Sequence, residues 1–211
     1  MCKYLTIGLI ILGLILFNIN NVYATFSRPN IHLQQTYRWD DRRDGADLYI
    51  QTLSLPFRYN FLKDKHSIKL NLFFQWRRNV ERNLTQRKTF GLGLGKDFNR
   101  WLSLGADIQY SWYNEGFRDY GVFEKRSIPE GVLKLTLQKE LIANGKFNMI
   151  GFVDNGIFFD LKNGREICNE ISLGVIFPLG KNFQTQLDWL HIDRVPYYDS
   201  DAFEGSLTIK F

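Results

Sequence analysis

The sequence predicts an all-β chain folded as an antiparallel up-and-down transmembrane β-barrel of about ten strands, with eight or twelve as the alternatives. Three observations predict it. Apolar and polar residues alternate with a period of two along most of the chain after residue 28, the mark of strands with two unlike faces. The alternating stretches recur about ten times, each near the roughly 9–11 residues that a tilted membrane strand needs. On the apolar face, Lys, Arg, Asp and Glu are absent from mid-strand positions, as contact with hydrocarbon requires.

The stretches run approximately over 30–39, 46–61, 68–79, 87–96, 101–113, 128–138, 147–160, 167–178, 183–192 and 203–211. The third is the plainest. Ile68, Leu70, Leu72, Phe74 and Trp76 share one face, and Lys69, Asn71, Phe73, Gln75 and Arg77 share the other. The fifth repeats it, with Leu102, Leu104, Ala106, Ile108, Tyr110 and Trp112 set against Ser103, Gly105, Asp107, Gln109, Ser111 and Tyr113. A soluble sandwich or a lipocalin-type barrel also alternates, but its outward face would carry charge.

Two further patterns agree. Short or moderate turns at 62–67, 97–100, 140–146 and 179–182 alternate with connections that include the charged, glycine-bearing 114–127 and the segment 193–202. That asymmetry places the turns at the periplasmic end, and an even strand number brings both chain ends there. On the apolar faces, Tyr37, Trp39, Tyr49, Trp76, Tyr110, Trp112 and Trp189 gather toward the loop end. Phe57, Tyr59, Phe61, Phe147, Phe177, Phe183 and Phe211 gather toward the turn end. Two aromatic girdles around an aliphatic belt match two membrane–water interfaces.

The chain ends carry the most specific signals. Phe203, Gly205, Leu207, Ile209 and Phe211 alternate with Glu204, Ser206, Thr208 and Lys210, and the last strand finishes on an aromatic. At the other end, Leu5–Phe17 is an apolar run behind a weakly basic start, with small residues before a cleavage point after Ala24. This is the layout of a secretory signal peptide; the run is shorter than the roughly 20 residues of a spanning helix. Residues 1–24 are therefore expected to be removed and 25–211 to form the barrel. In these features the chain resembles bacterial outer-membrane β-barrel proteins of the porin-like kind. The resemblance implies an outer-membrane location and contact with outer-membrane lipid. It also implies that Phe203, Leu207, Ile209 and Phe211 act as the assembly signal read by the barrel-insertion machinery.

Loss of residues 1–24 removes Lys3 and leaves a net charge of +4, too mild and mixed for nucleic-acid binding. Cys168 is then the sole cysteine, so an internal disulfide is excluded. The sequence offers no metal-ligand or cofactor motif, and its pattern leaves the oligomeric state open.

With apolar faces toward lipid, the interior receives Arg38, Arg58, Lys69, Arg77, Lys134 and Lys210, together with Asp107, Glu130, Asp154, Glu170, Asp188 and Glu204. Basic positions concentrate on the first three strands and acidic ones from the fifth onward, so the two signs are expected on facing walls. If the walls touch, ion pairs fill an occluded barrel. If water separates them, the barrel is a narrow or gated passive channel for ions or small solutes, without strong ion selectivity. An occluded barrel would instead present its loops to a partner.

Three local features complete the expectations. Gly91, Gly93 and Gly95 match no phosphate loop and point inward, leaving room for Phe73, Tyr113 or the 114–127 loop. Arg77, Arg78, Arg82, Arg87 and Lys88 form a loop-end basic group that suits lipopolysaccharide phosphates or an ordinary solvated hairpin tip. His191 with Asp188, Asp193, Ser200 and Asp201 is the set to test for a rim hydrolase. It resembles the omptin proteases only loosely, because their Asp-x-His order is His191-Ile-Asp193 here. No catalytic residue is assigned.

Overall fold

The computed structural model describes residues 25–26, 30–40, 47–61, 66–114, 125–144, 148–194 and 199–211. The expected signal peptide and most of the 114–127 connection lie outside these residues. Eleven strands are described: β1 (Thr25–Phe26), β2 (His32–Asp40), β3 (Leu48–Phe61), β4 (His66–Asn79), β5 (Leu84–Asp97), β6 (Leu102–Tyr113), β7 (Arg126–Ala143), β8 (Asn148–Asp160), β9 (Arg165–Leu179), β10 (Phe183–Arg194) and β11 (Ser200–Lys210). From β2 to β11 each strand pairs antiparallel with the next, and β11 pairs with β2 from Ala202↔Asp40 to Lys210↔His32. The sheet is thus a closed ten-strand up-and-down barrel, the strand number expected from the sequence.

The two residues of β1 continue the line of β2 along β3. Thr25 and Phe26 pair with Asn60 and Tyr59, and the Asn30 amide donates to the Pro56 carbonyl at 3.4 Å. At the seam, the Phe211 amide donates to the Ile31 carbonyl at 2.9 Å. The C-terminal residue is therefore tied to the first barrel strand at the turn end. Closure gives the mid-barrel strands two paired neighbours, which hydrocarbon demands because it offers no water to an unpaired amide.

Alternation sorts the faces as the period of two predicts. Ile108, Leu133, Leu173, Leu187 and Phe203 stand outward, with Ile108 61 % and Phe203 62 % exposed. A soluble protein does not carry a continuous belt of that kind; this is the lipid-facing wall of a transmembrane barrel. Outward aromatics at its margins include Trp39, Tyr110, Trp112 and Trp189 at the loop end and Phe183 and Phe211 at the turn end. Phe61 and Phe147 side chains lie outside the description.

Short connections need special backbone. Asn83, Gly164 and Gly180 take left-handed conformations with φ of 51°, 65° and 83° in the tight turns, where only Gly, or Asn at small cost, fits readily. Register shifts fall at Arg77/Arg78, Glu140/Ile142 and Phe158/Phe159. These bulges re-aim side chains locally.

Within the barrel, Gly91 sits opposite Phe73 in register. A Cβ placed there would overlap the Phe73 ring, with Cε1 at 2.7 Å, and one at Gly93 would meet Asp107 Oδ1 at 2.7 Å. The glycines make room for large inward side chains on neighbouring strands. Gly91→Val is expected to destabilise the refolded barrel by about 1–3 kcal/mol through overpacking, with recovery in the Gly91→Val/Phe73→Ala double variant. Urea midpoints of the three proteins check this; equal losses in single and double variants would contradict it.

Candidate functional site: the barrel lumen

Every charged residue expected inside occupies the inward parity of its strand, but the pairing differs from two opposed walls. Arg38 on β2 binds Glu204 on β11. These two are cross-strand neighbours at the seam. Lys134 on β7 binds Asp107 on the adjacent β6. Asp188 is buried and accepts from Gln186 Nε2 at 2.9 Å, while Asp154 lies beside Thr136 in register. Lys210 reaches Gln184 Oε1 at 3.2 Å at the turn end. These ion pairs thus join close neighbours along the wall. The physical reason is reach: adjacent strands lie about 5 Å apart, whereas the opposite wall of a ten-strand barrel is several times farther.

The most buried charge is Glu130 on β7, with no exposed surface. Its Oε2 accepts from Gln109 Nε2 and Ser111 Oγ, each at 2.6 Å, and its Oε1 accepts from the Tyr113 hydroxyl. Arg87 Nη2 lies 3.6 Å from Oε2, and its guanidinium stands 5.5 Å from the Tyr113 ring centre. Arg87 Nε donates to Thr89 Oγ1 at 2.8 Å, and the Thr89 and Ser111 hydroxyls are 3.0 Å apart. One carboxylate thereby organises β5, β6 and β7. Several donors and a cation compensate its removal from water, the condition under which a buried charge is tolerated.

Arg87 corrects the expectation of a solvated basic tip. It is 3 % exposed and inward, as is Arg77 at 4 %, its register partner. The bulge opposite Arg77/Arg78 buries Gln86 beside Arg87, and it is Gln86 that simple alternation cannot foresee. Arg78, Arg82 and Lys88 remain outside the lumen.

Between these groups is a cavity of about 350 Å³. Arg38, Arg77, Arg87, Lys134, Asp107 and Glu204 contribute charge to its lining, and hydroxyl and amide side chains share the rest with Ile50, Phe73, Val132 and Phe158. Glu170 also faces it. Toward the turn end the lumen is wet: Lys69 Nζ pairs with Asp97 Oδ1 at 2.6 Å and Arg58 Nη2 with Asp97 Oδ2 at 3.7 Å, all three side chains substantially exposed. Toward the loop end it is dry. Tyr113, Ile128, Cys168, Leu190, Ile192 and Ala202 form a buried apolar cluster, with Phe158 packed on it. This cluster spans β6 to β11 and was missed in the sequence. Its available signal is the run Trp189-Leu190-His191-Ile192, where alternation between apolar and polar residues stops.

The rim residues do not assemble as a nucleophile–base set. His191 Nδ1 lies 3.0 Å from Asp201 Oδ1, its cross-strand partner, rather than binding Asp193. His191 stacks on Trp189 at the outer face. Ser200 is buried on the inward face and accepts from Arg194 Nη1 at 2.6 Å. The serine and the histidine stand on opposite sides of the wall. Phe203, Leu207 and Phe211 of the expected assembly signal are exposed on the outer face, and Ile209 is half-buried there.

No protein-family model matches the chain. No curated protein matches it either. Among solved structures it is similar to the NanC porin, at 12% identity and a TM-score of 0.43, over 86% of this chain and 100% of that one. It is similar to the β domain of the Bordetella autotransporter BrkA, at 11% identity and 0.47, over 87% and 100%. It is also similar to the KdgM porin, at 8% and 0.41, over 85% and 99%. All three TM-scores fall below 0.5, so the architecture rests on the strand pairing described above.

Breaking the Glu130 network from one side leaves a buried charge without its compensation. Arg87→Met is expected to cost about 3–5 kcal/mol, and adding Glu130→Gln to recover much of that loss. Denaturant midpoints of the single and double variants form the cycle; simple additivity would show that the two groups do not interact.

Proposed function

We propose that the chain is a bacterial outer-membrane β-barrel acting as a small gated passive channel for ions or small solutes. The observation that carries this reading is the polar cavity of about 350 Å³ inside a lipid-facing barrel, lined by both signs of charge. An inert plug has no need of a solvated interior, and a barrel of this strand number lies between packed eight-strand and open porin interiors. The outer-membrane location draws on the terminal aromatic strand and the expected signal peptide. Mixed lumen charge suits weak ion selectivity.

A second reading has its own observation. The buried apolar cluster toward the loop end supports an occluded structural barrel. In the channel reading, the same cluster is the gate. Hydrophobic constrictions close pores by excluding water, so polar or smaller side chains there favour opening.

Planar-bilayer recording of the refolded chain 25–211 separates the two. The gated channel gives intermittent small conductance, and Leu190→Ser/Ile192→Ser raises the open fraction. Asp107→Asn/Asp188→Asn shifts ion selectivity toward anions, because it removes inward negative charge. Silence from the wild type and the serine variant, with folding shown by heat-modifiable gel migration, would establish the occluded barrel.

A further inference from the structure

The outer wall carries a second cavity that the channel reading does not use. A groove of about 430 Å³ lies over β2 to β5, lined by Leu33, Leu53, Phe74 and Trp76 with Gln51, Thr85 and Lys88 at its edge. Register fixes its layout. Leu33↔Leu53 and Leu53↔Phe74 form an apolar row, and one row nearer the loop end Gln51↔Trp76 and Trp76↔Lys88 follow. Lys88 is itself paired with Trp112 on β6. The cation therefore stands between two indoles at the level of the aromatic girdle. Arg78 lies in the next row, opposite Thr85, and the turn above contributes Arg82 together with Glu81. Trp76 Nε1 donates to Thr85 Oγ1 at 2.8 Å, which fixes the indole as one wall.

We propose that this groove is a binding site for a phosphorylated glycolipid of the surrounding outer leaflet. One acyl chain would lie on Leu33, Leu53 and Phe74, with a phosphate between Lys88 and Arg78. The argument is charge complementarity at matched depth. The apolar row sits within the hydrocarbon belt, and the cations sit one and two rows higher, where headgroups lie. Lys and Arg on a lipid-facing wall are costly in hydrocarbon but favourable beside anionic phosphate. A second copy of the chain suits the groove less well. A two-fold contact centred on it would set Arg78 and Lys88 against their own counterparts. The proposal rests on the outer-membrane placement proposed above and does not depend on conductance.

The test uses the refolded barrel in detergent mixed micelles containing lipid A, and reads retained lipid by native mass spectrometry. The wild type is expected to retain one lipid A molecule in preference to its dephosphorylated form. Arg78→Gln/Lys88→Gln should lower retention roughly thirtyfold, for two charges at a membrane surface. Leu53→Trp, which fills the groove and keeps its apolarity, should lower it independently of charge. Lys96→Gln/Arg100→Gln, at the opposite rim, should leave it unchanged, and heat-modifiable migration verifies folding of each variant. Equal retention of dephosphorylated lipid, preference for phosphatidylglycerol, a dimer occupying the groove, or indifference to both groove variants would each overturn the proposal.

Discussion

A sheet that meets hydrocarbon cannot keep an open edge, because each unpaired amide or carbonyl there costs several kcal/mol. Pairing of β11 with β2 removes that edge, and much else follows from it. Closure fixes an even strand number with both ends on the turn side. Phe211 takes part in it: its amide bonds back to residue 31, beside the β11–β2 seam that completes the ring. Once the ring is closed, the period of two leaves each strand one face for lipid and one for a narrow interior.

That interior sets the second constraint. Ten strands enclose too little space for bulk water throughout, yet an adjacent strand is several times nearer to a side chain than the opposite wall. Charges are consequently satisfied along the wall. Arg38 turns to Glu204, Lys134 to Asp107, and Arg87 to Glu130. Glycines on β5 take part in the same economy of space. Gly91 and Gly93 yield their volume to Phe73 and Asp107, and the Asp107 carboxylate then meets Lys134 from the adjacent β7.

Period, strand number and facing were legible in the sequence because they depend on local alternation, and hydrocarbon tolerates few exceptions to it. Ile68–Trp76 and Leu102–Tyr113 read directly as they fold. Partner choice was not legible. Sorting Arg38, Lys69 and Arg77 from Glu130, Asp188 and Glu204 by strand number suggested opposed walls, but strands one and ten of a closed barrel are neighbours. Counting along the chain hides that adjacency. Arg87 was misplaced for a different reason. It shares the inward parity of Thr89 and Gly91, but it opens its stretch beside Lys88, in a basic group that reads as a solvated tip. The apolar cluster was not legible because Leu190 and Ile192 share the inward face with Asp188, where a polar lumen is expected.

The two ends of the lumen therefore differ in kind. Arg58, Lys69 and Asp97 at the turn end are hydrated and screened, so their pairing contributes little to stability. Glu130 and Arg87 are buried, and their pairing is hard to disturb without also moving Tyr113, which belongs to the apolar cluster. Polar network and dry cluster share that one residue. A solute entering from the turn side would meet hydrated charge, then the polar cavity, then the layer where Tyr113 joins the two. Opening beyond that layer requires displacing apolar side chains from one another while Glu130 keeps its donors. In the proposed channel, the loop-end layer rather than the hydrated mouth is thus where resistance to passage would be concentrated.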